Sequence, residues 1–393
     1  MKNSSKIDFA NTLRGFAALA VIISHYFGVF WSSRDAVADL TNSAILPLEA
    51  YPVPEFFKWV HPIIIFNWGA FGVALFFLIS GFVIPFSLKK STWYGFVGGR
   101  IFRILPTYFV GFTVTLTAIF FSSWYFGREW PFQLNEIIIH YIPGVRDIFW
   151  SRSIDGIIWT LEIEMKFYFV CLLLIALFKR NSWLVFLAPL ILFGLSIVIN
   201  NSLLVWSSSN PRAWQLGMSY MMASQYCIFM FVGVVFNYQF SGLIDSNKAF
   251  LIISVIFCLF CIHWYIGPYK DGFVIAWSYA FALIAFIFAY SFQSFFKSNA
   301  FFDFFANISY PLYVVHGVAG YVSLRILIDK GFGNIYALVI VTLSIIFISW
   351  LMHRYIELPS QQLSKKISRL KLNSLRLGRV DESKQESPSH LHL

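Results

Sequence analysis

The sequence predicts an all-α polytopic membrane protein of about ten transmembrane helices, and three observations carry that reading. The 393 residues are 58% hydrophobic and only 12% charged, about half the charged share of a soluble chain. They include 46 Phe and 14 Trp, and the mean hydropathy is +0.69. Ten apolar runs recur at roughly the 20-residue length that crosses a bilayer. Soluble enzyme folds are excluded. The net charge of +10 follows membrane topology, so no nucleic-acid partner is inferred from it.

The expected spans run approximately Leu13–Trp31, Pro62–Phe86, Ile104–Phe126, Ile157–Phe178, Trp183–Ile199, Met218–Phe240, Phe250–Ile266, Phe273–Phe292, Ile308–Leu327 and Ile335–Ile356. The first follows Lys2, Lys6 and Arg14 as a secretory signal would. It lacks a small-x-small cleavage site, however, and nine more spans follow, so it is expected to stay as a helix. With both termini cytoplasmic, 19 Lys and Arg fall inside and nine outside, which orients the chain N-in and C-in. Residues 1–359 then form a transmembrane domain in contact with membrane lipid. Residues 360–393 form a cytoplasmic tail, basic and surface-lying at first, then polar and disordered, which removes His390 and His392 from consideration as ligands. The two long exterior segments, about Ser32–His61 and Gly127–Gly156, are placed to cover a site open to the outside. Cys171, Cys227, Cys258 and Cys261 lie in apolar runs and read as free, buried thiols.

No phosphate-binding or dinucleotide fingerprint and no metal cluster occurs, so chemistry has to come from polar groups inside the spans, where unpaired charge is expensive. Four groups stand out. Arg14 and His25 are eleven residues apart, about 16 Å along a helix and within about 20° of the same face. Lys89, Lys90, Arg100 and Arg103 follow the second span; positive-inside bias explains the lysines, whereas Arg100 and Arg103, three apart, form a forked face suited to phosphate oxygens. In Trp159–Tyr168, Glu162 and Lys166 are spaced to pair with each other. Glu164 points about 200° away, shares a face with Tyr168 and needs another partner, which a histidine or arginine on a neighbouring helix would supply. Tyr313 and His316 lie one turn apart in the ninth span. Trp159, Tyr168 and Tyr313 are the candidate substrate contacts.

These motifs together resemble the acyltransferase 3 family of bacterial membrane O-acyltransferases. The resemblance rests on Leu13-Arg-Gly with His25, Gly72–Phe82, Arg100-x-x-Arg103 with Pro106 and Tyr108, Trp159–Tyr168, Ile308–His316 and Ile356-Glu-x-Pro359, in order from about Ile7 to Pro359. Met165 and Lys166 depart from it, since many members carry Glu and Gln there. The resemblance implies a place in the cytoplasmic (inner) membrane and acyl transfer, most often acetyl, from cytosolic acyl-CoA to a hydroxyl of a saccharide. Acyl-CoA is then a co-substrate, with no permanently bound cofactor and no metal. Arg14, His25, Glu164 and His316 would be catalytic, with His25 either a general base or the carrier of a covalent acyl group. Arg100 and Arg103, with Lys89 and Lys90, would form a loop that binds the donor. The rival reading is a transporter or exporter of a lipid- or sugar-linked metabolite, which would use the same buried charges to hold cargo.

Overall fold

The computed structural model describes residues 7–63 and 65–366. Within them there is no β-strand, and the long helices are α1 (Asp8–Ser24), α2 (Trp68–Lys90), α3 (Trp93–Tyr125), α4 (Ile158–Leu173), α5 (Leu187–Ser209), α6 (Pro211–Phe240), α7 (Ser246–Ile266), α8 (Ala276–Ser291), α9 (Ala300–Val315), α10 (Val318–Asp329) and α11 (Asn334–Met352). The fold is that of an all-α integral membrane protein. Eight helical runs among the described residues are long and apolar enough to cross a membrane; α9 and α10, bent by 72° at Gly317, make a ninth.

Local chemistry sets several boundaries. The side chains of Asn67, Thr92, Asn210, Asp245 and Asn299 accept the free N–H groups at the starts of α2, α3, α6, α7 and α9, and Pro211 fills the first turn of α6. Two spans differ from expectation. The fourth is only 16 residues long and is continued after Leu174 by the short piece Ile175–Lys179. The ninth is the broken pair α9/α10 rather than one straight helix.

A further difference is that Arg100 and Arg103 do not sit in a loop. Helix α3 begins at Trp93, so both lie within its first three turns, ahead of Pro106. Proline is accommodated inside a buried helix where neighbouring groups satisfy the backbone it frees. The segment 358–366 prolongs the last helix, while the remainder of the expected tail, 367–393, lies outside the described residues. All four cysteines are free. Cys171 and Cys227 are buried as expected, whereas Cys258 is exposed and Cys261 half-buried, because α7 lies at the edge and turns that face outward.

Depth in the bundle sorts the helices. In the apolar windows of α6 and α2, 83% and 72% of residues are buried, against 22% for the run containing α5, so α2 and α6 form the centre and α5 the rim. The two central helices touch backbone to backbone: a Cβ on Gly233 would lie 2.9 Å from the Cα of Gly81, and one on Gly81 would overlap the Met230 carbonyl. Without a hydrophobic drive between helices in lipid, such close approach supplies the dispersion that holds them together. Gly233→Val is therefore expected to force α2 and α6 apart and to lower the apparent Tm of the detergent-solubilised protein by roughly 5 °C or more, read by thermal unfolding.

Candidate active site

Helices α1, α2, α3, α4 and α9 enclose a cavity of about 90 Å³. Its wall is mostly apolar, but Arg14, Ser80, Arg103, Tyr108, Thr160, Glu164, Tyr168, Ser309, Tyr310 and Tyr313 all reach it. Glu164 accepts hydrogen bonds from the Ser80 hydroxyl at 2.8 Å and from the Tyr168 phenol, one turn along its own helix. The partner it takes from another helix is thus a serine and not the expected histidine or arginine, since a hydroxyl on α2 lies nearer than either. Arg14 and Arg103 share the cavity with this carboxylate, yet no carboxylate lies within ion-pairing distance of either guanidinium among the described residues. Arg100 stands behind the wall, its guanidinium 5.1 Å from the Tyr168 ring and 5.2 Å from that of Phe96. Arg14, Arg100, Arg103, Glu164, Tyr168 and Tyr313 are therefore brought together. Lys89, lying 5.2 Å over the Tyr238 ring, and exposed Lys90 do not line the cavity, nor does Trp159, which packs on Tyr226.

Ser309 and Tyr313 also line a second, very narrow cleft between α1 and α9, with Ala18, Val21, Ile22, Leu312 and His316. It shares Ser309 and Tyr313 with the arginine cavity, ends at His316 and is too tight to admit a water molecule. At His25 helix α1 widens into one π-helical turn, His25–Val29, a local irregularity that recurs at functional sites. His316 ends α9 just before the bend. The two rings meet edge to face with centroids 4.5 Å apart. His25 Nδ1 lies 2.5 Å from the Tyr321 phenol oxygen, and His316 Nδ1 lies 3.0 and 2.9 Å from the carbonyl oxygens of Leu312 and Tyr313. Gly320 is required here, since a Cβ would overlap the Tyr26 phenol, which donates to the His316 carbonyl at 2.8 Å. The bend thus delivers Tyr321 to His25 while Tyr26 fastens the chain at the break.

The expected Glu162–Lys166 pair does not form. Arg146 grips Glu162 with two donors, Nε at 3.0 Å and Nη2 at 2.7 Å, and Lys166 pairs with Asp147, which also accepts from Ser219. A planar guanidinium matches a carboxylate bidentately, which a flexible ammonium one turn away cannot do. The segment before α4, remote in pattern from the helix, supplied both partners.

The sequence reading also missed a buried chain of groups at the rim of the cavity. The Ile154 N–H donates to His140 Nε2 at 3.0 Å, which leaves the ring proton on Nδ1 to bond the Tyr108 oxygen at 2.8 Å. Tyr108 in turn donates to Asp155 at 3.1 Å, whose other oxygen caps the first N–H groups of α4. The only sequence signal was Tyr108 within the Pro106 motif. Glu357, from the closing Ile356-Glu-x-Pro359 motif, is likewise buried and accepts from His353 at 2.7 Å and from Gln361 at 3.0 Å.

The profile of the acyltransferase domain family (Acyl_transf_3) matches residues 7–354. The chain belongs to that family. This acyltransferase is also similar to Nodulation protein 10 of Rhizobium leguminosarum bv. viciae, 30% identical over 129 residues. That stretch is 28% of this chain and 34% of the relative, so the match spans about a third of the relative's length. No solved structure matches. The motifs that suggested the family therefore led to the right one, and the acyltransferase carries its polar groups between helices that lipid surrounds.

His140 makes stability pH-dependent. It lies in the segment between α3 and α4, and burial pushes its pKa below the ordinary value of about 6.5. A depressed histidine binds its proton more weakly folded than unfolded, so its contribution is present above pH 6.5 and is lost as pH falls below it. The native acyltransferase is expected to lose more Tm between pH 7 and pH 5 than His140→Gln, measured by thermal unfolding in one detergent.

Proposed function

We propose that this membrane O-acyltransferase moves an acyl group, acetyl in the first instance, from cytosolic acyl-CoA to a hydroxyl of a cell-surface or exported saccharide, with an intramembrane histidine as general base. The observation that carries the reading is the pair Arg14 and Arg103, with no carboxylate in ion-pairing distance among the described residues, in a cavity that shares Ser309 and Tyr313 with the narrow cleft ending at His316. Two half-buried guanidiniums in a mostly apolar wall favour an anion, and forked donors suit phosphate. In this reading both termini face the cytosol, the donor's phosphates rest on Arg14 and Arg103 with Arg100 behind them, and Lys89 and Lys90 add positive field at the entrance. The pantetheine arm, the slenderest element of CoA, follows the cleft between α1 and α9, which is too tight for a water molecule in this structure and opens to take it. Glu164, held by Ser80 and Tyr168, sets a negative charge in the same cavity without pairing with either arginine. Tyr168 and Tyr313 touch the bound donor, and Trp159 stands toward the acceptor side.

The acceptor hydroxyl arrives from the opposite face and meets the thioester at the histidine pair. Removal of its proton by a positioned base accelerates such a step by roughly 10²- to 10⁴-fold. The reaction class is tested with membranes containing the native chain, labelled acetyl-CoA and total envelope glycans of the source cell. Label in glycan, lost in His25→Ala at equal expression, supports it; glycan that stays unlabelled with every acyl-CoA tried, from a chain that does not retain acyl-CoA, favours the transporter reading. Arg103→Ala is expected to raise the KM for acetyl-CoA by about 10- to 100-fold, the size of a lost charge-assisted contact, with a smaller effect on acceptor KM.

A further inference from the structure

The two histidines sit in environments that fix opposite tautomers. His316 Nδ1 faces only the carbonyl oxygens of Leu312 and Tyr313, which accept and never donate, so Nδ1 carries the proton. Its Nε2 is then a bare lone pair, and it is buried with no hydrogen-bond partner. His25 is the reverse case. Its Nδ1 meets the phenol of Tyr321, a buried side chain whose hydroxyl proton has no other recipient among the described residues. A buried phenol donates where an acceptor is in reach, so the bond runs from Tyr321 to His25 Nδ1 and the His25 proton resides on Nε2. The ionisable groups packed around the pair are Tyr26, Tyr313 and Tyr321, with Asp155 further off on the segment that caps α4.

From this geometry we infer a division of labour that rests on the acyl-transfer reading above: His316 Nε2 is the base, His25 Nε2–H is a hydrogen-bond donor, and Tyr321 is the positioning residue that holds His25 in the donor form. The acceptor oxygen attacks the thioester carbonyl carbon as its proton passes to His316 Nε2. The oxyanion that develops on the carbonyl oxygen accepts from His25 Nε2–H. Collapse breaks the C–S bond, the thiolate sulfur takes the proton back from His316, and ester and free thiol leave with both histidines restored. A preorganised donor aimed at a developing oxyanion contributes about as much as the base itself. A lone base would leave the second histidine, its phenol and the bend that brings them together without a task.

Glutamine separates the two roles, since its amide donates a hydrogen bond from nearly the Nε2 position but takes up no proton. In full-length protein assayed with labelled acetyl-CoA and envelope glycans, His316→Gln is expected to lose at least about 10²-fold in kcat, the lower bound for a general base. His25→Gln is expected to stay within about tenfold of native. Tyr321→Phe should lower kcat about tenfold at unchanged donor KM. In ¹⁵N-histidine NMR, one resonance of a bare Nδ1, absent from His25→Gln, should shift in Tyr321→Phe. The inference is overturned if His25→Gln falls as far as His316→Gln while both still retain labelled acetyl-CoA, or if no bare-Nδ1 resonance is assigned to His25. Should neither glutamine variant lose activity, the intramembrane-base reading fails with it. Should native protein transfer nothing, the acyl-CoA reading fails, and the NMR result alone still decides the tautomers.

Discussion

Every polar group in this protein is constrained by the same fact: in hydrocarbon, a charge or hydrogen-bonding group has to be solvated by protein. Arg14 is the sharpest instance. It enters a cavity to which the other helices contribute one carboxylate, with one oxygen bound by two hydroxyls, a second arginine and a set of phenols. Much of the irregularity of the bundle serves this constraint. The start of α4 is capped by Asp155, α9 breaks at Gly317, and α1 widens at His25, and each departure places a polar side chain or a freed backbone group where another helix meets it.

The regular helices set the distances at which this happens. Close contact of Gly81 with Gly233 draws α2 against α6, and Gly320 against Tyr26 draws α10 against α1. The first contact fixes the wall from which Ser80 reaches Glu164; the second fixes the height at which Tyr321 reaches His25. An arginine-bearing cavity and a histidine pair then lie along the same two helices, because α1 and α9 run side by side and contribute to both.

Outside the spans, the segment before α4 acts as a clasp. Arg146 and Asp147 engage Glu162 and Lys166, while His140, Ile154 and Asp155 engage Tyr108. The clasp ties α4 to α3 and α6 at the rim of the cavity. Its charges are paired and half-buried to buried, so it orders α4 without presenting free charge to the cavity.

Composition and periodicity alone determined that the chain is an all-α membrane protein, and the motifs from Leu13 to Pro359 determined its family, because both are written in residue type and local spacing. The spacing of Arg14 and His25, of Glu164 and Tyr168, and of Tyr313 and His316 likewise placed each pair on one helical face. What spacing along one helix cannot contain is which side chain of another helix arrives opposite. Glu162 took Arg146 instead of Lys166, Glu164 took Ser80, and Lys89 turned toward Tyr238 instead of the cavity. Tyr321, unremarked in the sequence, reached His25 only through a 72° bend at a glycine. Helical faces follow from sequence because a turn of helix is local; partners and tautomers were decided by the tertiary structure, because a hydrogen bond between helices depends on how their backbones cross.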